Sequence, residues 1–225
     1  MITMPSLVKH SVVSTAFVSA LALMGSRAHA GEWELDTAHA SAGFSVKHMM
    51  ISTVHGEFQK VSGSFALDDA APTKSSVEIV IDASSINTSN AQRDGHLKSP
   101  DFFDVAKNPN ITFKSTKIAA AGKGKYKVTG DLTMHGVTKP VVLEVEGPTA
   151  PTKDMMGRQV RGFSAKGKLN RKDWGLTYNK VLEAGGVAVS DEVQIQVDGE
   201  LIAKAPAAAA PAAPTAAPAA APAKK

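Results

Sequence analysis

Between residues 32 and 202 apolar and polar positions alternate with a period of two. Over residues 39–47, Ala40, Ala42, Phe44 and Val46 interleave with His39, Ser41, Ser45 and Lys47, as a strand with one apolar face requires. Residues 75–83 place Val77, Ile79 and Ile81 opposite Glu78 and Asp82. Residues 125–134 place Tyr126, Val128, Leu132 and Met134 opposite Lys127, Thr129, Asp131 and Thr133. Val141, Leu143 and Val145 alternate with Glu144 and Glu146, a further strand is predicted over 162–169, and Val193, Ile195, Val197 and Leu201 close the series. Gly122-Lys123-Gly124 reads as hairpin punctuation. The one plausible helix is residues 90–97, NAQRDGHL, after a turn-rich Ser-Ile-Asn-Thr-Ser stretch that could cap it. The pattern predicts an all-β domain of about eight antiparallel strands with one short helix.

Such strands can stack as a sandwich or close into a barrel, and patterning does not separate the two. Several apolar faces carry small residues: Ala40 and Ala42, Gly63 beside Phe65, Gly130 beside Leu132. In a closed barrel such walls could leave an open lumen suited to a ligand, or the small residues could merely ease bending and packing.

The ends differ in composition. Residues 1–30 combine Lys9, an apolar stretch over 12–24 and Ala28-His29-Ala30, which predicts a secretory signal peptide cleaved after Ala30 and a periplasmic mature protein. A membrane span needs about twenty apolar residues, and this stretch is too short and too diluted by Ser, Thr and Gly. Residues 204–225 are almost wholly Ala and Pro, with five prolines that forbid a continuous helix, and are predicted to be a disordered spacer. Its terminal Lys224 and Lys225 offer weak transient contact with an anionic membrane or envelope surface. The domain proper is therefore residues 31–203.

The formal charge of +4 points to nucleic acid only until the basic residues are located. Lys9, Arg27, Lys204, Lys224 and Lys225 lie in the terminal segments, and setting them aside leaves 20 basic residues against 21 acidic. No basic run with interleaved aromatics remains, so a nucleic-acid partner is excluded. With no cysteine in the 225 residues, thiol catalysis and Cys-ligated zinc are also out.

Other chemistry finds little support. His39 and His48 are nine residues apart and point to opposite faces of an unbroken strand. No helical His pair exists, and His55 and His135 each precede glycine, where turn or strand-end roles are expected. There is no G-x-S-x-G, no phosphate-binding loop and no dinucleotide fingerprint, so neither a metal nor a cofactor is expected. The densest polar cluster runs from Arg93 to Asp104, and three readings stand side by side. It is a capped helix and turn whose charges pair with one another, a clamp for a polar head group built on Arg93 and His96, or an acid–base pair of His96 and Asp94.

Several motifs occur in a recognisable order. Trp33-Glu34-Leu35-Asp36-x-x-His39, Phe44-x-Val46-Lys47-His48 and Val54-x-Gly56-x-Phe58 come first. Arg93-Asp94-x-His96-Leu97-x-Ser99-x-Asp101-Phe102-Phe103-Asp104 and Pro109-x-Ile111-Thr112-Phe113 follow. Residues 130–140, GDLTMHGVTKP, and Asn170-Arg171-x-Asp173-Trp174-Gly175 complete the set. Over residues 33–202 the chain resembles the YceI-like proteins, bacterial periplasmic polyisoprenoid-binding proteins. Ala40 stands where that family usually carries a hydroxyl residue, and the Ala/Pro tail is not part of its domain. The resemblance implies a lipocalin-like antiparallel barrel whose lumen holds a long isoprenoid chain, the tail of a quinone or prenyl carrier. A ten-residue strand is roughly 33 Å long, so several isoprene units would fit lengthwise. On that basis Phe44, Val46, Phe58, Phe65, Ile79, Phe102, Phe113, Tyr126, Leu132 and Trp174 are the expected lining. Arg93 and His96, with Asp94 orienting one of them, are the expected polar end. Family members dimerise, so the resemblance also allows a homodimer.

These features favour a non-enzymatic carrier or scavenger of a polyisoprenoid or another long apolar molecule. The alternatives are a small periplasmic hydrolase or isomerase using His96 and Asp94, and a structural or stress-protective envelope protein spaced by its tail.

Overall fold

The alternating residues build strands that close on themselves. A computed structural model describes residues 31–183 and 185–204; the expected export signal and the Ala/Pro segment from 205 onward lie outside the described residues. In chain order the strands are β1 (Gly31–His48), β2 (Ser52–Phe58), β3 (Val61–Leu67), β4 (Ser76–Asp82) and β5 (Ile86–Asn87). After helix α1 (Ala91–Lys98) come β6 (Asn110–Gly122), β7 (Lys125–Met134), β8 (Val137–Glu146), β9 (Thr152–Lys153), β10 (Gln159–Asn170) and β11 (Glu192–Ala203). Eight of them run β11-β10-β8-β7-β6-β4-β3-β1, and β1 pairs back onto β11, all antiparallel. Closure removes the sheet edges that would otherwise remain unpaired. The barrel, not the sandwich, is the fold.

β1 is longer than the alternation over 39–47 suggests. It begins at Gly31, and the register slips between Leu35 and Ala40, which hides its first half from a strict period of two. Its first residues pair with β3 (Glu32 opposite Ala66) and its last with β2 (Phe44 opposite Gly56). β2 and β3 thus serve as successive halves of one wall. On their sides away from β1 the two halves differ: β3 pairs with β4, whereas β2 pairs with the two-residue β5, and α1 follows at that end of the barrel.

The helix forms over nearly the predicted residues, but its cap is Asn90, whose side chain accepts a hydrogen bond from the Arg93 N–H at 3.0 Å. His135-Gly136 makes the expected turn, with φ of 51° and 74°. His55-Gly56 does not: both lie inside β2. The reason is steric, because a Cβ at Gly56 would collide with the ring of Phe44 on the neighbouring strand. Gly130 seats Phe113 in the same way, and a Cβ at Gly63 would fall 2.5 Å from Ile79 Cδ1. These glycines leave room for large neighbours, so the packing reading of the small residues holds at these positions.

Inward-facing residues form one apolar cluster. Trp33, Leu35, Phe65, Leu67 and Leu201 fill the end where β1 starts, which we call the far end. Phe58, Ile86, Phe113, Leu132, Trp174 and Leu176 lie toward the opposite, near end.

Candidate functional site: an apolar cavity and its mouth

The barrel core is not filled. A cavity of about 480 Å³ lies in the interior toward the near end, within the range of small-molecule sites. Of the expected lining, Phe44, Val46, Phe58, Phe65 and Ile79 border it, as do Phe102, Phe113 and Leu132. Ala42, at the inward face of β1 opposite Phe58, borders it too. Two expectations are corrected. Tyr126 has the right parity, but it lies toward the far end of β7 and borders a separate, smaller space there. Trp174 sits in a short 3₁₀ turn (Arg171–Trp174), 2% exposed, with its indole N–H donated to the Leu132 carbonyl at 3.0 Å. It is packing behind the wall.

Polar groups gather at the near end. Arg93 donates through Nε to Thr88 Oγ1 (2.8 Å) and through Nη2 to the Thr88 carbonyl (2.7 Å). Asp94 accepts from the Thr88 N–H (2.9 Å) and hydroxyl (2.5 Å). Asp94 therefore orients Arg93 indirectly, by clamping the buried threonine between them. Arg93, His96 and Thr88 all border the cavity. Arg93 Nη1 makes no hydrogen bond among the described residues, which leaves a cationic donor for a ligand's polar end.

His96 does not pair with Asp94. Its Nε2 lies 2.9 Å from Asp101 Oδ2, and its ring packs edge-on against Phe102 and Tyr178 at 5.1 and 4.8 Å. Residues two apart on a helix do not face one another, so the acid–base pair proposed for a hydrolase or isomerase is not formed.

One organiser of the mouth escaped the sequence reading of roles. Arg171, 4% exposed, borders the cavity and holds the segment that runs from the 3₁₀ turn to β11. Its Nη1 donates to the carbonyls of Leu176 and Tyr178 (2.8 Å to the latter), Nε donates to that of Ser190 at 3.0 Å, and Nη2 lies 3.3 Å from Asp191 Oδ1. Burial lowers its pKa below the ordinary arginine value, with the Asp191 carboxylate opposing. The segment it holds brings Leu176, Tyr178 and Val189 to the rim. Beside it, the β1–β2 turn exposes Met49, Met50 and Ile51, and the Met49 N–H reaches the Ala188 carbonyl at 2.8 Å.

Among the described residues, Asp36, His39 and Glu200 form the one cluster whose donor atoms approach a metal-binding arrangement, all within 4.8 Å. It lies outside the lumen, and the groups neutralise one another instead: His39 Nδ1 is 3.0 Å from Asp36, with Arg158 3.8 Å from the same carboxylate.

A closed antiparallel barrel with an apolar interior and polar groups at one mouth is the architecture of the lipocalin-like barrels. The family model for the YceI-like domain matches residues 33–201, and the chain belongs to the YceI-like family. It is 41% identical over 169 residues to a UPF0312 protein of Vibrio parahaemolyticus, covering 74% of this chain and 88% of the relative. Burkholderia cenocepacia BcnA superposes with a TM-score of 0.63 at 26% identity, over 74% of this chain and 98% of that one. A Campylobacter jejuni YceI protein gives 0.60 at 34% identity, over 71% and 90%. A polyisoprenoid-binding domain from Saccharophagus degradans gives 0.54 at 18% identity, over 78% and 99%, and so shares the fold.

Proposed function

We propose that the protein is an exported carrier or scavenger that takes a long apolar chain, in the first instance a polyisoprenoid, into the barrel with its polar end at Arg93 and His96. The observation that supports this most directly is the 480 Å³ apolar cavity beneath a mouth with a partly uncommitted arginine. Each buried CH₂ contributes about 0.8 kcal/mol before ordering costs, so a chain gains affinity from length without specific contacts. The S. degradans domain has this fold, which makes an isoprenoid the first ligand to test. The leader over residues 1–30 supports export to the periplasm, with cleavage after Ala30. The carboxylate beside His96 is that of Asp101 and not Asp94, so the enzyme alternative in its His96–Asp94 form has no pair to work with.

Native followed by denaturing mass spectrometry of protein purified without detergent from its own cells tests this reading. A bound isoprenoid in stoichiometric amount is the expected result. A protein that is reproducibly empty and takes up no added prenyl alcohol overturns it.

A further inference from the structure

The barrel interior continues beyond the main cavity. A second space of about 220 Å³ lies at the far end, bordered by Leu67, Pro72, Ile118, Tyr126, Arg161 and Leu201. Phe65, Val77, Val128, Val145 and Phe163 border both spaces, so they form the layer that separates them. Within that layer the rings of Phe65, from β3, and Phe163, from β10, meet with centroids 5.5 Å apart and planes tilted by 54°. The strands that carry them are not neighbours; β1 and β11 lie between, so the two rings span that part of the lumen.

The sequence provides seats for both rings. Phe163 pairs in register with Gly199 on β11, and a Cβ there would stand 3.1 Å from Phe163 Cε1 and 3.0 Å from Leu35 Cδ1. A Cβ at Gly63 would stand 3.2 Å from Phe65 Cε2. A side chain at either glycine would crowd the rings, so the pair is supported from beneath by two positions that carry none.

We propose that the Phe65–Phe163 pair is a partition that sets the longest chain the lumen accepts, with the far chamber held in reserve behind it. This rests on the carrier reading above. A chain entering at the mouth stops against the two rings. Removing one ring joins the chambers, and Arg161, locked to Asp69, then forms the end wall.

The partition is tested with a series of linear prenyl alcohols differing by one isoprene unit, binding being measured for the wild type and for Phe163→Ala. For the wild type, affinity rises with each unit and then stops rising. Because the far chamber has close to half the volume of the near one (220 against 480 Å³), that break moves in Phe163→Ala to chains longer by about the same fraction. If Phe163→Ala does not fold, Phe163→Leu, which keeps an aliphatic group on the core, shows a smaller shift in the same direction. Val142→Ala, on the outward face of β8, leaves the break in place. The same break in the folded ring variant and the wild type overturns the partition while the carrier reading stands. A wild type that binds no prenyl alcohol of any length overturns both.

Discussion

The two ends of the barrel each bury an arginine, and the two are used in opposite ways. At the near end Arg171 spends its donors on three backbone carbonyls from residues 176, 178 and 190, and so gives a long connecting segment its shape. At the far end Arg161 is just as buried, at 5% exposure, yet its guanidinium forms a two-pronged pair with Asp69 (2.7 and 2.6 Å) and stacks over Trp33 at 4.7 Å. The Asp69 side chain is 73% exposed, and the Arg161 Nε is the one buried side-chain polar atom among the described residues without a partner. The first arginine shapes an entrance from loop backbone; the second plugs an exit with a group that water can re-solvate. A closed sheet has no reason of its own to be open at one end and shut at the other, so the asymmetry comes from these attachments.

The largest expected effect separates the ends by binding. Ala42→Trp fills the near cavity and abolishes uptake of prenyl chains in a protein that still folds, whereas Ile118→Trp, in the far chamber, leaves uptake unchanged; retention assays with a fluorescent prenyl probe measure both. Unchanged affinity in folded Ala42→Trp would remove the near cavity from the site. Next is stability. Arg171→Ala takes the guanidinium from the carbonyls of Leu176, Tyr178 and Ser190, while Asp191 keeps Lys172 at 2.8 Å, and should cost more than about 3 kcal/mol in urea titration, since each buried acceptor left unpaired costs about 1–3 kcal/mol. Arg161→Ala frees a carboxylate already near water and should cost about 1–3 kcal/mol. Equal losses would dissolve the contrast. Trp174→Phe, which removes the indole donor to the Leu132 carbonyl behind the cavity wall, should cost about 0.5–1.5 kcal/mol.

The smallest effect is the pH response of the outer cluster near the far end. The Asp36 hydrogen bond, then its charge, raises the His39 pKa above the ordinary 6.5, while His39, then the Ala38 N–H, lowers that of Asp36 below 3.8. The stabilisation from His39 is complete below pH 6.5 and is lost as pH rises through its raised folded value; that from Asp36 is present above 3.8 and is lost as pH falls through its lowered one. Melting temperature should therefore fall slightly for the wild type on going from mildly acidic to alkaline buffer, and His39→Gln should lack that decline. Solvent screening on the side of the exposed His39 ring keeps the effect small.

The strand faces were legible because a half-buried strand writes its burial into every second residue, as in Val77-x-Ile79-x-Ile81. The same rule placed most of the cavity wall. It could not place Tyr126, because parity gives the face but not the height along the barrel. It missed the first half of β1, where the slip after Leu35 breaks the alternation, and it misread Gly56, whose role depends on the Phe44 ring across the ladder. The two-residue offset of Asp94 and His96 on a helix already argued against their pairing. Arg171 stood inside a recognised motif, yet its partners are carbonyl oxygens that any sequence would supply, so residue types alone gave no sign of what it holds.

The first and last described strands are neighbours, and this governs how the molecule responds to a pull. Trp33 lies opposite Ala203, and the Lys204 N–H reaches the Glu32 carbonyl at 2.8 Å, so the described chain enters and leaves at one rim, away from the mouth. Tension applied through residues 31 and 204 acts along the β1–β11 hydrogen bonds, and it loads them one rung at a time, as a zip is drawn rather than as a bolt is sheared. The seam parts first at that rim and travels toward the mouth. The mouth lies at the other end of the barrel, so a pull on the two strand ends opens the seam from the side away from the entrance.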